Sequence, residues 1–488
     1  MKVVEDERRV RVMEGTWEPR GVIQDIVDAG QEDPFYVLDL GEVVARYRNW
    51  KALMPRVEPF YAVKCNDDKT LLTTLAALGT GFDCASRKEI ETVLQIGVRP
   101  EKSLTKEIYK SDVHGCVNRG RHRRVFSDQI GDILKKDRLP SAHNHRACMK
   151  RIVNVKETRE LCQDHGSRII FANPAKMSSH IQYSDAAGVY TMTFDNETEL
   201  YKIKHLMPHA QLVIRIRCDA ASAQCPLGIK FGCDPLNEAP RLLKLASVLQ
   251  LEVVGVSFHV GSGANETDVY SRAIQYAKAL FDVGACVGHE HMNLVDIGGG
   301  FPGNHDSSID EASIVINSAL EKYFPEKHVR VIAEPGRYFA AAAYTLAAMV
   351  HSKRENPSES HTMYFINDGV YGSFNCVLYD HQVVNAEPLK LSQEKSLNCS
   401  VWGPSCDGLD CVSANARLPP LRVGDWLVFR DMGAYTIPVA SPFNGFPVPS
   451  VRAVIDCNLW QRQWNVLCHD PDTTPSPPSH PQLKPRNY

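Results

Sequence analysis

Eight short apolar or β-branched runs alternate with longer stretches of helical periodicity between residues 60 and 333. Such alternation predicts parallel strands joined by helices, and eight repeats are the number that closes a β/α barrel. We therefore predict an α/β fold built on a (β/α)8 TIM-type barrel. The predicted strands are Phe60–Lys64, Gly81–Cys84, Ile169–Ala172, Thr191–Phe194, Leu212–Ile216, Val253–His259, Asn293–Ile297 and Arg330–Ala333. The predicted helices include Lys69–Leu78, Glu89–Ile96, Glu197–Leu206, Ala239–Gln250, Asp268–Gly284 and Ile309–Tyr323.

The pattern changes after about residue 340. Segments such as Thr362–Ile366 and Asp425–Phe429 are separated by Gly, Pro, Asn and Asp turns, without a long helical period. This predicts an all-β C-terminal domain over residues 341–465, following an N-terminal segment and barrel over residues 1–340. The proline-rich remainder, residues 466–488, has little apolar content and is predicted to be disordered.

Composition excludes several classes of protein. The 488 residues carry a net charge of −3 at pH 7, so no general basic field would attract nucleic acid. The most apolar stretch, Val331–Val350, contains Glu334 and Arg337, which argues against a membrane span. The charged N-terminus lacks the apolar core of a secretory signal. The 15 cysteines follow no regular spacing, which favours reduced thiols and a cytoplasmic protein.

One segment, Ser103–Arg168, interrupts the alternation. It holds nearly twice as many basic as acidic residues, and structureless segments of this length are uncommon inside compact domains. It is either a surface extension of the barrel or sequence read through a splice boundary. We favour the second interpretation because its composition fits neither neighbouring element. Its histidines and cysteines match no established zinc spacing, so no metal site is predicted. The side chains considered as ligands are His143, His145, Cys148, Cys162 and His165.

Lys64 closes the first predicted barrel strand. The carboxyl ends of barrel strands form the face where active sites lie, so its amine is expected at the mouth of the barrel. A surface lysine just past a strand is the plain alternative. Burial would lower the pKa of a lysine and make the neutral amine available for imine chemistry.

Other strand ends carry groups of complementary chemistry. The three glycines Gly298–Gly300 follow one strand and let the backbone approach an anion, although alone they are also typical of a tight turn. Glu334 and Arg337 follow the next strand; a carboxylate keeps a ring nitrogen protonated, and a guanidinium suits phosphate. His259 ends a further strand and, taken singly, is typical of a core histidine. Together with Lys64, these groups predict a pocket for pyridoxal 5'-phosphate.

Six motifs resemble those of the fold-type III pyridoxal phosphate-dependent decarboxylase family, which includes the eukaryotic ornithine decarboxylases. The similarity covers Tyr36 to Trp460 apart from the basic segment, and it implies a barrel followed by an alanine racemase-like β-domain. The motifs are FYAVKCN at 60–66, GFDCAS at 81–86, FHVGSG at 258–263, EPGRY at 334–338, NDGVYGSFN at 367–375 and WGPSCDGLD at 402–410.

The resemblance implies a role for each matched residue. Lys64 would hold the cofactor covalently, His259 would stack on its ring, and Glu334 would pair with the pyridine nitrogen. Asp83 and Arg215 would lie near the imine end of the ring. The residues implied at or beside the phosphate are Ser262, Gly300, Pro335, Gly336, Arg337 and Tyr435.

The implied reaction is decarboxylation of L-ornithine to putrescine, the entry step of polyamine biosynthesis. Cys406 would donate a proton to the substrate α-carbon. The residues implied at the substrate are Tyr379, Asp380 and Asp407. The family forms its sites between the two subunits of a homodimer, so Cys406 and Asp407 would serve the partner's cofactor. An intersubunit ion pair between Lys230 and Asp410 is also implied.

Two alternatives stay open at this level. One is a catalytically inactive regulator resembling the antizyme inhibitors, which have lost the cofactor and catalytic residues. The other is a decarboxylase of lysine or arginine; a diaminopimelate decarboxylase would need an arginine where Asp380 stands. Antizyme is implied as a candidate partner, although the segment Asn173–Met177 departs from the residues usual on that surface.

Overall fold

A computed structural model of the chain describes residues 10–100, 167–218, 228–261, 266–356 and 361–460. The strands are β1 (Val10–Met13), β2 (Phe35–Asp39), β3 (Val57–Ala62), β4 (Gly81–Cys84), β5 (Ile169–Phe171), β6 (Thr191–Phe194), β7 (Gln211–Arg217), β8 (Glu252–His259), β9 (Leu294–Asp296), β10 (Arg330–Ala333), β11 (Tyr344–Asn356), β12 (His361–Ile366), β13 (Ala386–Pro388), β14 (Leu397–Trp402), β15 (Cys411–Leu418), β16 (Trp426–Phe429) and β17 (Ser450–Asp456). The α-helices are α1 (Pro19–Asp28), α2 (Leu40–Leu53), α3 (Lys69–Leu78), α4 (Arg87–Gln95), α5 (Ser178–Ala187), α6 (Glu197–Leu206), α7 (Glu238–Val248), α8 (Asp268–Cys286), α9 (Asp310–Tyr323), α10 (Arg337–Ala340) and α11 (Asn375–Tyr379).

Strands β3 to β10 form a closed parallel barrel in which each strand pairs with its neighbour in sequence, and β10 pairs with β3 to complete it. The predicted barrel is therefore confirmed, and all eight predicted strands are present. The first of them is shorter at its carboxyl end than predicted: β3 stops at Ala62, and Lys64 lies in a 3-10 turn over Val63–Cys65. The chain turns there because Asn66 and Asp68 start the next helix, with the Asp68 carboxylate accepting from two backbone N–H groups of α3.

The barrel interior has an apolar layer below a polar one. Seven buried apolar side chains from six strands form the lower layer: Phe60, Ile170, Ala172, Val213, Val254, Leu294 and Ile332. Because strand side chains alternate between faces, a residue two positions further along points into the barrel again. One such step leads from Leu294 to Asp296, and another leads from Ile332 to Glu334. Asp296 and Glu334 are both buried. The polar layer therefore lies at the carboxyl ends of the strands, above an apolar floor that excludes water.

The second sheet has nine strands in the order β1-β17-β2-β11-β12-β14-β15, with β16 pairing β11 and β13. The predicted all-β character beyond residue 340 is present, interrupted by the short helix α11. The division at residue 340 needs a correction, because β1 and β2 precede the barrel but belong to this sheet. β2 lies between β17 and β11, and its apolar residues Phe35 and Val37 pack with Trp426 in a small core covered by α1. A mostly apolar central strand requires neighbours on both edges, and β11 and β17 supply them from beyond the barrel.

Helix α5 was missed by the sequence analysis. Only Ile181 and Ser184 of its residues are buried, so the apolar period is too weak to recognise. It ends at Gly188, which adopts the left-handed conformation with φ of 76°. Helices α3 and α6, whose apolar periods are stronger, have the bounds predicted for them.

Residues 103–166 of the basic segment and the proline-rich tail lie outside the described residues, as do the five side chains considered as zinc ligands. The last two residues of the basic segment contact Pro100: the backbone N–H of Arg168 donates to the Pro100 carbonyl at 2.7 Å, and Ser167 Oγ donates to the same oxygen at 2.9 Å. No helix within the described residues has the length and apolar content needed to cross a membrane.

Candidate active site

The polar layer at the barrel mouth centres on Lys64 and Asp83. The Lys64 amine donates to Asp83 Oδ2, and Asp83 is fully buried at the end of β4. Its second oxygen, Oδ1, has no hydrogen-bond donor within the described part of the chain. Burial by itself would lower the pKa of Lys64, but the carboxylates of Asp83 and Glu334 outweigh that effect and raise it. The amine is thus a cation held at the mouth, with 39% of its side-chain surface open to an entering molecule.

His259 ends β8 as a neutral ring. Its Nδ1 accepts from the backbone N–H of Gly261 at 3.0 Å, so the ring proton is assigned to Nε2. Burial lowers the pKa of His259 well below its usual value, and the positive charges of Arg215 and Lys64 lower it further. A neutral imidazole with one nitrogen bonded to backbone presents an aromatic face rather than a proton acceptor to the pocket.

Glu334 and Asp296 form a pair of buried carboxyls. Burial raises the pKa of Glu334 well above its usual range, and the charges of Asp296 and Asp83 raise it further. Asp296 Oδ1 accepts from the Gly298 N–H at 2.9 Å, while its Oδ2 has no donor among the described residues. Burial raises the pKa of Asp296 to about 7, although the side chain of Glu334 lies close enough to act in the opposite direction. Two adjacent buried carboxylates cannot both stay ionised without a proton or a cation between them.

Asp296 is a site residue that the sequence analysis missed. The signal was available, because a carboxylate two residues before Gly298–Gly300 ends an apolar strand on the inward face. Arg215, from β7, supplies the positive charge that acts on both carboxyls and on His259. Arg215 is therefore positioned with the predicted site residues, at the ring end of the pocket.

The glycine-rich loop forms one wall of the mouth. Gly300 has φ of 111°, and a Cβ there would lie 2.7 Å from Val260 Cγ2 and 2.8 Å from the Gly261 carbonyl oxygen. Only glycine fits this conformation and this close approach. Tyr270 OH donates to the Gly299 carbonyl at 3.1 Å, which anchors the loop from α8. Ser262, predicted to contact the phosphate from the neighbouring loop, lies outside the described residues.

The turn carrying Glu334 and Arg337 packs directly on the Lys64 turn. The Pro335 carbonyl accepts from the Ala62 N–H at 3.3 Å, and a Cβ on Gly336 would lie 2.8 Å from Cys65 Cβ. Pro335 and Gly336 therefore hold the two turns together, as backbone rather than as polar side chains.

Arg337 joins the barrel to the second sheet. Its Nη2 donates to both carboxylate oxygens of Asp380, at 2.8 and 2.7 Å, and its guanidinium lies 5.2 Å from the centre of the Tyr435 ring. Tyr435 is held by its own backbone N–H, which donates to the Cys65 carbonyl at 2.8 Å. The sequence analysis assigned Arg337 to a phosphate and Asp380 to the substrate, and did not foresee that the two bind each other.

The remaining predicted residues do not join this cluster. Tyr379 is 70% exposed, and Cys406 is exposed with its thiol 3.7 Å from Asn444 Oδ1. Asp407 accepts from the Tyr371 hydroxyl. Within the described residues, Tyr379, Cys406 and Asp407 form no hydrogen bond or ion pair with Lys64, Glu334 or Arg337. They occupy the surface of the second sheet, in α11 and in the loop between β14 and β15.

A barrel whose mouth combines a lysine, a carboxyl pair and a glycine-rich loop has the architecture of an enzyme that works through a covalently held cofactor. Residues 40–114 and 157–341 match the family described as pyridoxal-dependent decarboxylase, pyridoxal binding domain. The match leaves out residues 115–156, so it enters both ends of the basic segment predicted at Ser103–Arg168.

Several known proteins align with this chain over most of its length. Ornithine decarboxylase of Rattus norvegicus is 40% identical over 92% of this chain and 86% of that protein. Antizyme inhibitor 2 of Xenopus laevis is 40% identical over 90% and 85%. Among solved structures, the arginine decarboxylase of Paramecium bursaria Chlorella virus bound to agmatine has a TM-score of 0.73 and 34% identity, over 89% of this chain and 100% of that one. The lysine/ornithine decarboxylase of Vibrio vulnificus complexed with cadaverine has a TM-score of 0.69 and 27% identity, over 89% and 97%.

The chain belongs to the pyridoxal-dependent decarboxylase family. It is a decarboxylase, its cofactor is pyridoxal phosphate, and the resemblance to the eukaryotic ornithine decarboxylases is confirmed.

The residues present fit this cofactor. Asp83, Asp296 and Glu334 are three buried carboxyls with two oxygens that lack a donor, and a protonated ring nitrogen is the kind of group that stabilises such a set. The glycine-rich loop and Arg337 offer backbone N–H groups and a guanidinium suited to a phosphate. The Lys64 amine lies in the same cluster for the aldehyde.

Proposed function

We propose that the protein decarboxylates L-ornithine to putrescine, the entry step of polyamine biosynthesis. The observation that carries this proposal is the position of Asp380, a buried carboxylate bound to Arg337 at the edge of the cofactor cluster. A substrate with a second ammonium group would meet a carboxylate there, whereas an acidic side chain would be repelled by the same carboxylate. The 40% sequence identity to the ornithine decarboxylase of Rattus norvegicus, over 92% of this chain, supports ornithine as the substrate.

The chemistry divides between the cofactor and this chain. When bound, pyridoxal phosphate takes up the electron pair that loss of CO2 leaves on the substrate α-carbon. Lys64 holds the aldehyde end, and the Glu334 carboxylate holds a proton on the ring nitrogen, which keeps the ring electron-poor. His259, neutral and bonded to backbone, covers one ring face and neither adds nor removes a proton. The apolar floor below excludes water from the buried side of the site.

The phosphate end is proposed to lie between the Gly300 loop, Arg337 and Tyr435. A guanidinium carries five N–H donors in a plane, so one arginine is able to bind a phosphate and a carboxylate together. In that role Arg337 links the cofactor to Asp380, and its hydrogen bonds orient the Asp380 carboxylate before a substrate enters. Tyr435 lies against the guanidinium and fixes its plane.

We further propose a homodimer with shared sites, in which Cys406 and Asp407 act on the partner's substrate. Cys406 would give the proton that the α-carbon gains, and Asp407 would meet the distal ammonium together with Asp380. Support comes from the exposure of Cys406 on a surface apart from Lys64. Asp410 gives further support. It is buried, and its carboxylate accepts from the N–H groups of Val370 and Ser405 at 2.8 and 2.9 Å. No lysine or arginine of the described residues forms an ion pair with it.

Lys230 is the proposed partner of that carboxylate across the interface. Its side chain is exposed and lies 5.1 Å from the Phe231 ring of its own subunit. A lysine that reaches a buried carboxylate only in the dimer would tie assembly to ion-pair formation. None of the ten described cysteines forms a disulfide with another of them, which supports a reducing, cytoplasmic location as part of the same proposal.

Mixing two inactive variants tests the shared site. Lys64→Ala and Cys406→Ala homodimers should each be strongly impaired, and Cys406→Ala should also release an aldehyde by-product because protonation on the cofactor competes. After subunit exchange, half the dimers carry one complete site, so about a quarter of the wild-type rate should return. No recovery after exchange verified by native mass spectrometry would contradict sharing.

Substrate choice is tested by comparing kcat/KM for ornithine with that for lysine and arginine. Lysine is longer by one methylene, which is worth about 1–3 kcal/mol of discrimination, so ornithine should be preferred by about 10- to 200-fold. A preference for lysine or arginine would overturn the assignment while leaving the decarboxylase class intact.

A second candidate function is regulation without catalysis, since an antizyme inhibitor is as similar in sequence as the enzymes. The retention of Lys64, Glu334, Arg337, Asp380 and Cys406 favours the enzyme. Purified protein that lacks the absorbance of bound cofactor would favour the regulator. Antizyme remains a proposed partner. Lys176, in the segment Asn173–Met177, is fully buried, so it would affect antizyme binding by positioning its neighbours rather than by direct contact.

A further inference from the structure

A histidine beyond the glycine-rich loop joins the barrel to the second sheet. His305 lies in the segment between β9 and α9, and its backbone N–H and ring Nδ1 both donate to Asp431 Oδ1, at 3.0 and 2.8 Å. Asp431 lies after β16, more than a hundred residues further along. Arg46, from α2, donates to the Asn304 carbonyl at 3.1 Å and holds the same segment from the other side.

Asp431 in turn begins the loop that positions Tyr435. Both residues have positive φ, 58° and 56°, so the loop adopts a conformation that costs free energy and needs contacts to hold it. The Asp431 carbonyl accepts from Gln382 Nε2 at 3.1 Å, two residues beyond Asp380. The Met432 N–H donates to the Tyr344 carbonyl at 3.0 Å. Asp431 thereby contacts the segments that carry the glycine-rich loop, Asp380 and Tyr435.

We propose that His305 is a positioning residue for the cofactor: its contact with Asp431 fastens the glycine-rich loop to the Tyr435 loop and so sets the affinity for the phosphate end. This inference rests on the proposed placement of the phosphate between Gly300, Arg337 and Tyr435. His305 itself touches none of the reacting atoms. Its effect is to keep two walls of the pocket, which come from different sheets, at a fixed separation.

The charges around His305 determine how the contact depends on pH. Asp431 accepts its proton, Glu42 and Asp39 lie nearby as further carboxylates, and Arg46 opposes them. The hydrogen bond to Asp431 raises the pKa of His305 above its usual value of 6.5, with burial acting in the opposite direction. Because the pKa of His305 is raised, the stabilisation that protonated His305 gives to the contact with Asp431 is fully present below the usual pKa of 6.5. This stabilisation is lost as the pH rises through the raised pKa.

The test uses full-length protein freed of cofactor and titrated with pyridoxal phosphate, with binding followed by protein fluorescence. At about pH 6, His305→Gln should raise the dissociation constant about 3- to 10-fold, the effect expected from losing one ordinary hydrogen bond at a half-exposed position. At about pH 8.5 the ratio of variant to wild type should approach one. The ionisation of the cofactor's own phosphate affects both dissociation constants equally, so its effect cancels in this ratio.

Asp431→Asn is the second variant. Asparagine tolerates positive φ and retains an acceptor oxygen, so the substitution removes the charge without disturbing the loop. The double variant should be no worse than either single one, because the two side chains act as a unit. The matched control is His209→Gln, which removes another half-exposed histidine with an aspartate partner, Asp185, at 2.9 Å and should leave affinity unchanged at both pH values.

Equal affinities of wild type and both variants at about pH 6 would overturn the inference, as would fully additive effects in the double variant. Neither result would touch the proposed function, since wild-type protein would still bind the cofactor. Wild-type protein that bound no cofactor would instead contradict the proposed function itself.

Discussion

Replacing Lys64 with alanine is expected to lower the decarboxylation rate by at least about 10³-fold, because the substitution removes the amine that holds the cofactor aldehyde. The cofactor absorbance of the purified protein should disappear together with the rate. Removing the lysine also leaves the buried Asp83 carboxylate without its cation, so the melting temperature should fall. Steady-state CO2 release, the absorbance spectrum and thermal unfolding measure the three effects.

Lys64→Arg separates chemistry from stability. Arginine keeps a positive charge beside Asp83 but stays protonated and does not condense with an aldehyde, so stability should largely return while activity stays lost. Lys69→Ala is the matched control, since Lys69 is an exposed lysine five positions along the chain at the start of α3. It should leave rate and spectrum unchanged. A Lys64→Arg protein with near-normal activity would show that another lysine holds the cofactor.

Glu334→Gln is expected to have the next largest effect, a fall in kcat of about 10²- to 10³-fold, the range typical of losing one preorganised electrostatic group. A neutral amide does not hold a proton on the ring nitrogen, so the ring becomes a poorer acceptor of the electron pair. The effect should fall on kcat more than on KM because the charge develops in the transition state.

Glu58→Gln makes the same chemical change at the opposite end of the barrel. Glu58 lies on β3 and pairs with Arg330 at 2.8 Å, below the apolar floor. This partly exposed pair contributes at most about 1 kcal/mol, so only a small change in melting temperature is expected and kcat should be unaltered. Equal losses of kcat in both variants would indicate a general disturbance of the barrel rather than a role for Glu334.

The barrel could be predicted because its information is local. Each strand is a short apolar or β-branched run, and side chains along a strand alternate between an inward and an outward face. The same alternation predicts which residues reach the mouth, as for Asp83 and Glu334. Helix α5 and the N-terminal strands escaped because their signals are weak or depend on partners far along the chain, such as β2 between β11 and β17.

The candidate site was predictable as a set of residues but not as a set of contacts. The resemblance to known motifs singled out Arg337 and Asp380, yet their pairing depends on how the second sheet packs on the barrel, which no local pattern records. Asp296 was visible in the sequence two residues before Gly298–Gly300, but its role became apparent only when Glu334 was found beside it. Among the described residues of one chain, Cys406 contacts Asn444 and Asp407 contacts Tyr371 rather than Lys64, so their proposed roles require a second subunit.

The covalent attachment of the cofactor is tested most directly by reducing the holoprotein with borohydride, digesting it and locating the modified lysine by mass spectrometry. Lys176 is the informative competitor: it lies at the same end of the barrel, and burial lowers its pKa to about 8 despite the nearby Glu199 carboxylate. The account predicts that the pyridoxyl group is found on the peptide containing Lys64. Modification of Lys176, or of any other lysine with Lys64 unmodified, would contradict it.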